Sequence, residues 1–110
     1  MNIENYKPNS KLTKEILKEN NFRYIEGVYS YRFPVYKYKN QPIIWCIIYV
    51  NIEDSLCCLH VYDQNNNTYS QYFDRTYGGK NLLVESIDGV IEDQINSFVK
   101  AGILKKRGKK

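Results

Sequence analysis

Ile43-Ile44-Trp45-Cys46-Ile47-Ile48-Tyr49-Val50 is an unbroken run of eight apolar residues. Its length is that of a strand and falls far short of the ~18 residues a membrane-spanning helix requires. Because side chains alternate across a strand, Ile44, Cys46, Ile48 and Val50 share one face. Ile43, Trp45, Ile47 and Tyr49 share the other. A strand apolar on both faces belongs in the middle of a sheet.

Upstream, residues 23–39 read as extended. Arg23-Tyr24-Ile25 precedes a break at Glu26-Gly27, and residues 28–39 are rich in β-branched and aromatic side chains. Tyr29, Tyr31 and Phe33 share one parity, whereas Tyr36 and Tyr38 share the opposite one. A bulge or kink at Pro34 accounts for the switch, and a proline within a strand implies an edge position. Asn40-Gln41-Pro42 forms the turn into the central run. Downstream, Glu53-Asp54-Ser55 is a turn, residues 56–62 a strand, Gln64-Asn65-Asn66-Asn67 a turn and residues 68–73 a shorter fourth strand. Such short connections favour an antiparallel meander.

Two helices flank this region. Ser10 is an N-cap candidate, with Leu12, Ile16 and Leu17 at helical spacing and Asn20-Asn21 as the terminator. Phe22 anchors the exit of this short helix. Val84, Ile87, Ile91, Ile95 and Phe98 form one helical stripe, closed by Ala101-Gly102 with Ile103-Leu104 folding back. The expected fold is α+β: a four-stranded antiparallel meander with an N-terminal and a C-terminal helix on one face (α-β-β-β-β-α). Residues 1–104 form one domain, and residues 105–110 a basic, disordered tail.

With 110 residues and 43% apolar content the chain suits one self-sufficient domain. Of its 16 basic residues, five lie in Lys105-Lys106-Arg107-Gly108-Lys109-Lys110. The remaining 11 are nearly balanced by 12 acidic groups, so the net charge of +4 belongs to the tail. Three cysteines, two of them adjacent, make a poor disulfide framework and indicate reduced thiols. No basic-then-apolar leader is evident. A cytoplasmic protein without membrane attachment is expected.

Catalytic and metal readings fail on residue supply. Three Cys and one His do not make a closed zinc site, and Cys57 and Cys58 point to opposite faces of their strand. A hairpin centred on Glu53-Asp54 sets Cys46 opposite His60 or Val61, a possible thiolate–imidazole pair with no residue to orient the histidine. Glu53-Asp54 and Glu92-Asp93 sit on a turn and a polar helix face, away from any apolar pocket that would raise a carboxyl pKa. Gly78-Gly79-Lys80 lacks the earlier glycine and following Ser or Thr of a phosphate-binding loop, and reads as a connector with Asn81 as N-cap. No cofactor, small-molecule substrate or enzymatic activity is expected.

Two binding readings remain. Tyr29, Tyr31, Arg32, Phe33, Tyr36, Lys37, Tyr38 and Lys39 interleave rings and cations, which suits stacking of unpaired bases beside phosphates. Together with the basic tail they suggest a single-stranded nucleic-acid-binding module. The other reading starts from the central strand: two modest helices cover only one side of a sheet, leaving an apolar face that marks a protein interface or homodimer. Tyr29, Tyr31, Arg32, Tyr36, Lys37, Tyr38, Ile44 and Ile48 are the expected partner-binding residues.

Composition adds a resemblance. Asn, Ile and Lys occur 12 times each and Tyr 11 times, all residues with AT-rich codons. With its short helix, Asn21-Phe22, aromatic strands and terminal Ala101-Gly102-Ile103-Leu104-Lys105-Lys106, the chain resembles small phage and prophage proteins of AT-rich Gram-positive bacteria. The resemblance implies a non-enzymatic protein that binds and blocks a host or defence (CRISPR-like) enzyme.

Overall fold

A computed structural model describes residues 3–69 and 82–108. The fold is α+β, with helices flanking a four-stranded antiparallel sheet. A 3-10 turn (Ile3–Asn5) leads into β1 (Tyr6–Pro8), followed by α1 (Lys14–Glu19), β2 (Arg23–Ile25), β3 (Val28–Tyr38), β4 (Gln41–Asn51) and β5 (Leu56–Asp63). Then come α2 (Leu82–Lys100) and β6 (Leu104–Lys106). The main sheet has order β2-β3-β4-β5, and β1 pairs with β6 in a separate two-stranded ribbon.

The turns explain the meander. Ile25 pairs with Val28 around Glu26 (φ 51) and Gly27 (φ 90), and Tyr38 pairs with Gln41 around Lys39 (φ 50) and Asn40 (φ 65). Two consecutive positive φ angles give the hairpin turn whose twist matches that of its strands. The sequence break at Glu26-Gly27 is therefore a hairpin, and β2 is the fourth strand of the sheet. Of the expected strand at 68–73, only Thr68 and Tyr69 lie among the described residues. Thr68 bridges Tyr62 in isolation, and the Tyr69 N–H donates to the Val61 carbonyl at 2.9 Å.

The parity switch at Pro34 is a bulge. Pro34 faces Trp45 and Tyr36 faces Ile44, so Val35 is the extra residue, and its side chain is buried. A second irregularity follows, with Lys37 opposite Pro42, and Ile43 packs against the core instead of joining Trp45 and Ile47. β3 is an interior strand, but β2 covers only Val28 to Ser30. Pro34 thus sits where β3 has no β2 partner and its missing N–H costs no ladder bond.

Both helices end through a left-handed residue that closes two bonds. In α1 the N-cap is Thr13, not Ser10, and Thr13 Oγ1 accepts from the Ile16 N–H. At the other end Asn21 (φ 70) donates to Lys18 O, and Phe22 donates to Leu17 O. In α2 Gly102 (φ 81) donates to Val99 O and Ile103 to Phe98 O. The left-handed conformation favours Asn or Gly, and each motif seats the following apolar residue. Phe22 and Ile103 are accordingly buried, and the Phe22 and Phe98 rings meet at 5.1 Å.

The core lies between α2 and one sheet face. Ile87, Ile91, Ile95 and Phe98 pack with Ile44, Cys46, Ile48 and Val50, all buried. Leu12, Leu17 and Phe22 join the same cluster, so α1 serves the same face. Burial along β4 alternates strictly from Ile43 to Asn51, half-buried at odd numbers and buried at even ones.

The basic tail is ordered further than expected. Lys105 and Lys106 pair with Lys7 and Tyr6, the Arg107 N–H donates to Asn5 O at 2.7 Å, and Arg107 Nε donates to Glu4 O at 2.9 Å. These bonds fasten the C-terminal segment to the N-terminal one. Among the described residues, no helix is long and apolar enough to cross a membrane.

Candidate functional site

The register places fourteen residues on the sheet face turned away from α2. In rows across the strands, Arg23, Ser30, Tyr49 and Cys58 align, as do Arg32, Ile47 and His60, then Pro34, Trp45 and Tyr62. Ile25, Val28, Asn51 and Leu56 complete the face at the β2–β3 turn. Trp45, Ile47 and Tyr49 are absent from the core cluster and only half-buried. Ile25 and Leu56 are 53% and 56% exposed. Both α1 and α2 serve the opposite side, while Ile3 and Glu4 of the 3-10 turn border this face beside β5.

The face has two chemically different ends. Near the β2–β3 turn, Ile25, Val28, Ile47, Tyr49 and Leu56 line a shallow concavity of about 850 Å3, with Glu4 and Glu26 also in its lining. At the other end the exposed Arg32 lays its guanidinium 4.0 Å from the Trp45 ring centroid and 5.8 Å from that of Tyr62. His60 stacks on Tyr62, with centroids 5.8 Å apart and planes 15° from parallel. Burial raises the Tyr62 phenol pKa, an effect the Arg32 cation partly offsets. The four strands contribute two arginines and no carboxylate to this face; its acids sit on the flanking turns.

The expected partner-binding residues divide between the two sides. Ile44 and Ile48 lie in the core beneath α2, 4% and 0% exposed, and cannot meet a partner. Tyr29 is buried, and the half-buried Tyr31 packs edge-on against Phe98 at 5.2 Å. Tyr36 is half-buried on the core side, opposite Ile44. Lys37 and Tyr38 are exposed at the β3–β4 turn, where Lys39 Nζ approaches the Tyr38 ring at 5.5 Å. Only Arg32 of the set belongs to the open sheet face. A cation in mid-strand cannot point into an apolar core, so its parity with Trp45 and Ile47 was the signal for which face is covered.

Among the described residues, the thiols and acids form no reactive set. Cys46 pairs with Val61, and His60 with Ile47, so Cys46 and His60 lie on opposite faces. Burial pushes the Cys46 thiol up to about 12. Cys57, on the core side, donates from Sγ to Tyr6 O at 3.4 Å. Burial and the adjacent Cys58 raise it to about 11 against the opposing pull of Arg107. Cys58 is exposed on the open face and shifted upward by desolvation. His60 Nε2 lies 3.4 Å from Thr68 Oγ1. Glu53 and Asp54 are exposed, with Asp54 Oδ2 accepting from Asn51 Nδ2 at 3.1 Å, and Glu92 and Asp93 are exposed on α2. Among the described residues, no three His, Cys, Asp or Glu side chains come together as metal ligands. Gly78-Gly79-Lys80 and Asn81 lie outside the described residues.

Comparison with known proteins places the fold and nothing finer. No family model matches the chain, and no curated protein matches it. The chain is similar to the crystal structure of a DUF1831 family protein from Lactobacillus plantarum, with a TM-score of 0.66 and 14% identity. The match covers 91% of this chain and 84% of that one. At that identity the likeness is one of fold.

Proposed function

We propose that this chain is a non-enzymatic binding protein that recognises another protein through its open sheet face. The supporting observation is the alternation along β4: Cys46, Ile48 and Val50 are fully buried, while Trp45, Ile47 and Tyr49 remain partly in water. A contiguous apolar face of this kind marks an interaction surface in a soluble protein. Tryptophan, tyrosine and arginine, the side chains most enriched at the centres of protein interfaces, stand together on it as Trp45, Tyr49 and Arg32.

With strands about 4.8 Å apart and a rise of about 3.3 Å per residue, the face measures roughly 15 by 25 Å in plan. That footprint suits a helix, about 10 Å wide, or another small sheet. The aliphatic floor formed by Ile25, Val28, Ile47 and Leu56 favours protein side chains over nucleobases. Tyr29 and Tyr31 turn inward, Tyr62 is buried and Arg32 already covers Trp45, which leaves few rings for bases to stack on. On the phage-type reading, the partner is a host or defence enzyme that the chain blocks in the cytoplasm, where its thiols stay reduced.

The test uses wild type, Ile47→Glu and Lys37→Glu as baits in an extract of the native host. A protein retained by wild type and Lys37→Glu but lost by Ile47→Glu supports the reading. Retention indifferent to Ile47→Glu overturns it. So does oligo-uridylate binding that weakens steeply with salt, the signature of phosphate contacts.

A further inference from the structure

Lys7 and Lys105 stand directly opposite each other in the β1–β6 ribbon. Opposed residues of an antiparallel pair share a face with Cβ atoms about 5 Å apart, and like charges so placed destabilise the pairing. Lys106 and Arg107 follow at once, and all of these cations except the half-buried Lys7 are exposed. The other ribbon residues are Tyr6, Pro8 and Leu104, so the ribbon carries no carboxylate. Glu4 and Glu26 on the rim of the concavity, and Glu53 and Asp54 in the β4–β5 turn, lie outside it. We infer that the protein recognised by the open face is acidic, and that the ribbon receives its carboxylates. This rests on the reading of that face as an interface and adds the partner's chemistry.

The ribbon and the face form one continuous surface. Arg107 Nε donates to Glu4 O at 2.9 Å, and Glu4 lines the concavity. The Arg107 cation is also felt at Cys57, another lining residue, whose Sγ donates to Tyr6 O at 3.4 Å. A protein seated on Ile47 and Leu56 therefore has the ribbon at its border. On the opposite flank of the apolar floor, Arg23 and Arg32 repeat the positive sign. Nucleobases stack on exposed rings, but Tyr6, the aromatic residue of the ribbon, packs against the core. Stable lipid binding couples cations to an inserted apolar side chain, and the ribbon exposes no large one. Carboxylates need only the cations. The like-charge pair costs stability in the free chain, and incoming carboxylates relieve that cost.

The experiment follows the anisotropy of fluorescein-labelled oligoglutamate on titration with the full chain, at low and at physiological salt. Wild type is expected to bind it and to release it as salt rises. Lys105→Glu is expected to weaken binding at least about tenfold, equivalent to ~1.4 kcal/mol. The same change is expected to raise the melting temperature, because the cross-strand pair becomes one of opposite charge. Lys7→Glu, the reciprocal change, is expected to do both as well. Lys37→Glu alters charge equally at the distant β3–β4 turn and is expected to stay within about twofold of wild type at physiological salt. No binding, binding indifferent to the ribbon changes, or an equal loss in Lys37→Glu overturns the inference. A melting temperature lowered by both ribbon changes shows that the opposed lysines serve the fold, and overturns it too. So does tighter, ribbon-dependent binding of oligo-uridylate or of phosphatidylserine vesicles. Capture from host extract that is lost in Ile47→Glu but kept in Lys105→Glu leaves protein recognition standing and removes the acidic partner. If oligoglutamate follows the expected pattern but extract capture ignores Ile47→Glu, the ribbon stands and the recognition reading falls.

Discussion

The Arg32 guanidinium lies over the Trp45 indole at 4.0 Å, diagonally across β3 and β4 on the side of the sheet that faces away from α2. Such a contact contributes roughly 0.5–1 kcal/mol at an exposed site, and here it also shields one ring face from water. Arg32→Ala is expected to lower stability by about that amount and to red-shift the fluorescence of Trp45, the chain's single tryptophan. Acrylamide quenching should increase as well. Equal quenching in both proteins would show that the cation does not cover the ring.

Neighbouring isoleucines on β4 give the sharpest contrast in the molecule. Ile48 is fully buried, so Ile48→Glu places a carboxylate in the core and should cost several kcal/mol, enough to unfold a domain of ordinary stability. Ile47→Glu puts the same group in partly exposed space and should cost about 1 kcal/mol or less while leaving a cooperative melt. Circular dichroism melts of the two variants check this directly.

The buried thiol predicts alkaline behaviour. Cys46 titrates near 12 in the fold, against 9.0 for an ordinary thiol. Above pH 9 the unfolded chain loses this proton while the native chain keeps it, so the native state binds more protons and stability falls as pH rises. The contribution is full below pH 9 and declines progressively between 9 and 12. Cys46→Ala should flatten the decline in denaturant midpoints measured across that window. At neutral pH a thiol reagent should modify Cys58 first, then Cys57, with Cys46 reacting only on unfolding.

Removing residues 105–110 should destabilise the protein. The deletion strips two of the three β1–β6 pairs and both Arg107 bonds, and a loss of about 1–3 kcal/mol is expected at roughly 1 kcal/mol per hydrogen bond. Denaturant unfolding of the truncated chain measures it. An unchanged midpoint would mean that the segment contributes nothing to the fold.

How far the sequence could be read depends on where its patterns were one-sided. Ile43 to Val50 is apolar on both parities, so it marks a central strand without saying which face the helices cover. Arg32 resolves that, because charge is excluded from the buried side. Glu26-Gly27 looked like an interruption because positive-φ hairpin turns are only two residues long, and so β2 passed as part of a single extended stretch. The tyrosines of β3 suggested a stacking surface, but ring type does not report direction: Tyr31 faces Phe22 and Phe98, and Tyr29 is buried with its ring against Tyr24. Trp45, Tyr49 and Cys58 went unmarked as site residues for the same reason. The lysines at 105 and 106 hid a strand, since pairing with β1 depends on backbone groups that composition does not reveal. The stripe of α2 and its Gly102 closure were legible because both are local.

The most direct measurement attaches a benzophenone to Cys58, in a Cys57→Ala background, and maps photo-crosslinks formed in host extract, with a second label at Lys37→Cys as control. Adducts to a protein formed from position 58, absent from position 37 and abolished by Ile47→Glu, are the result this account predicts. Equal adducts from both positions, or adducts that survive Ile47→Glu, would contradict it.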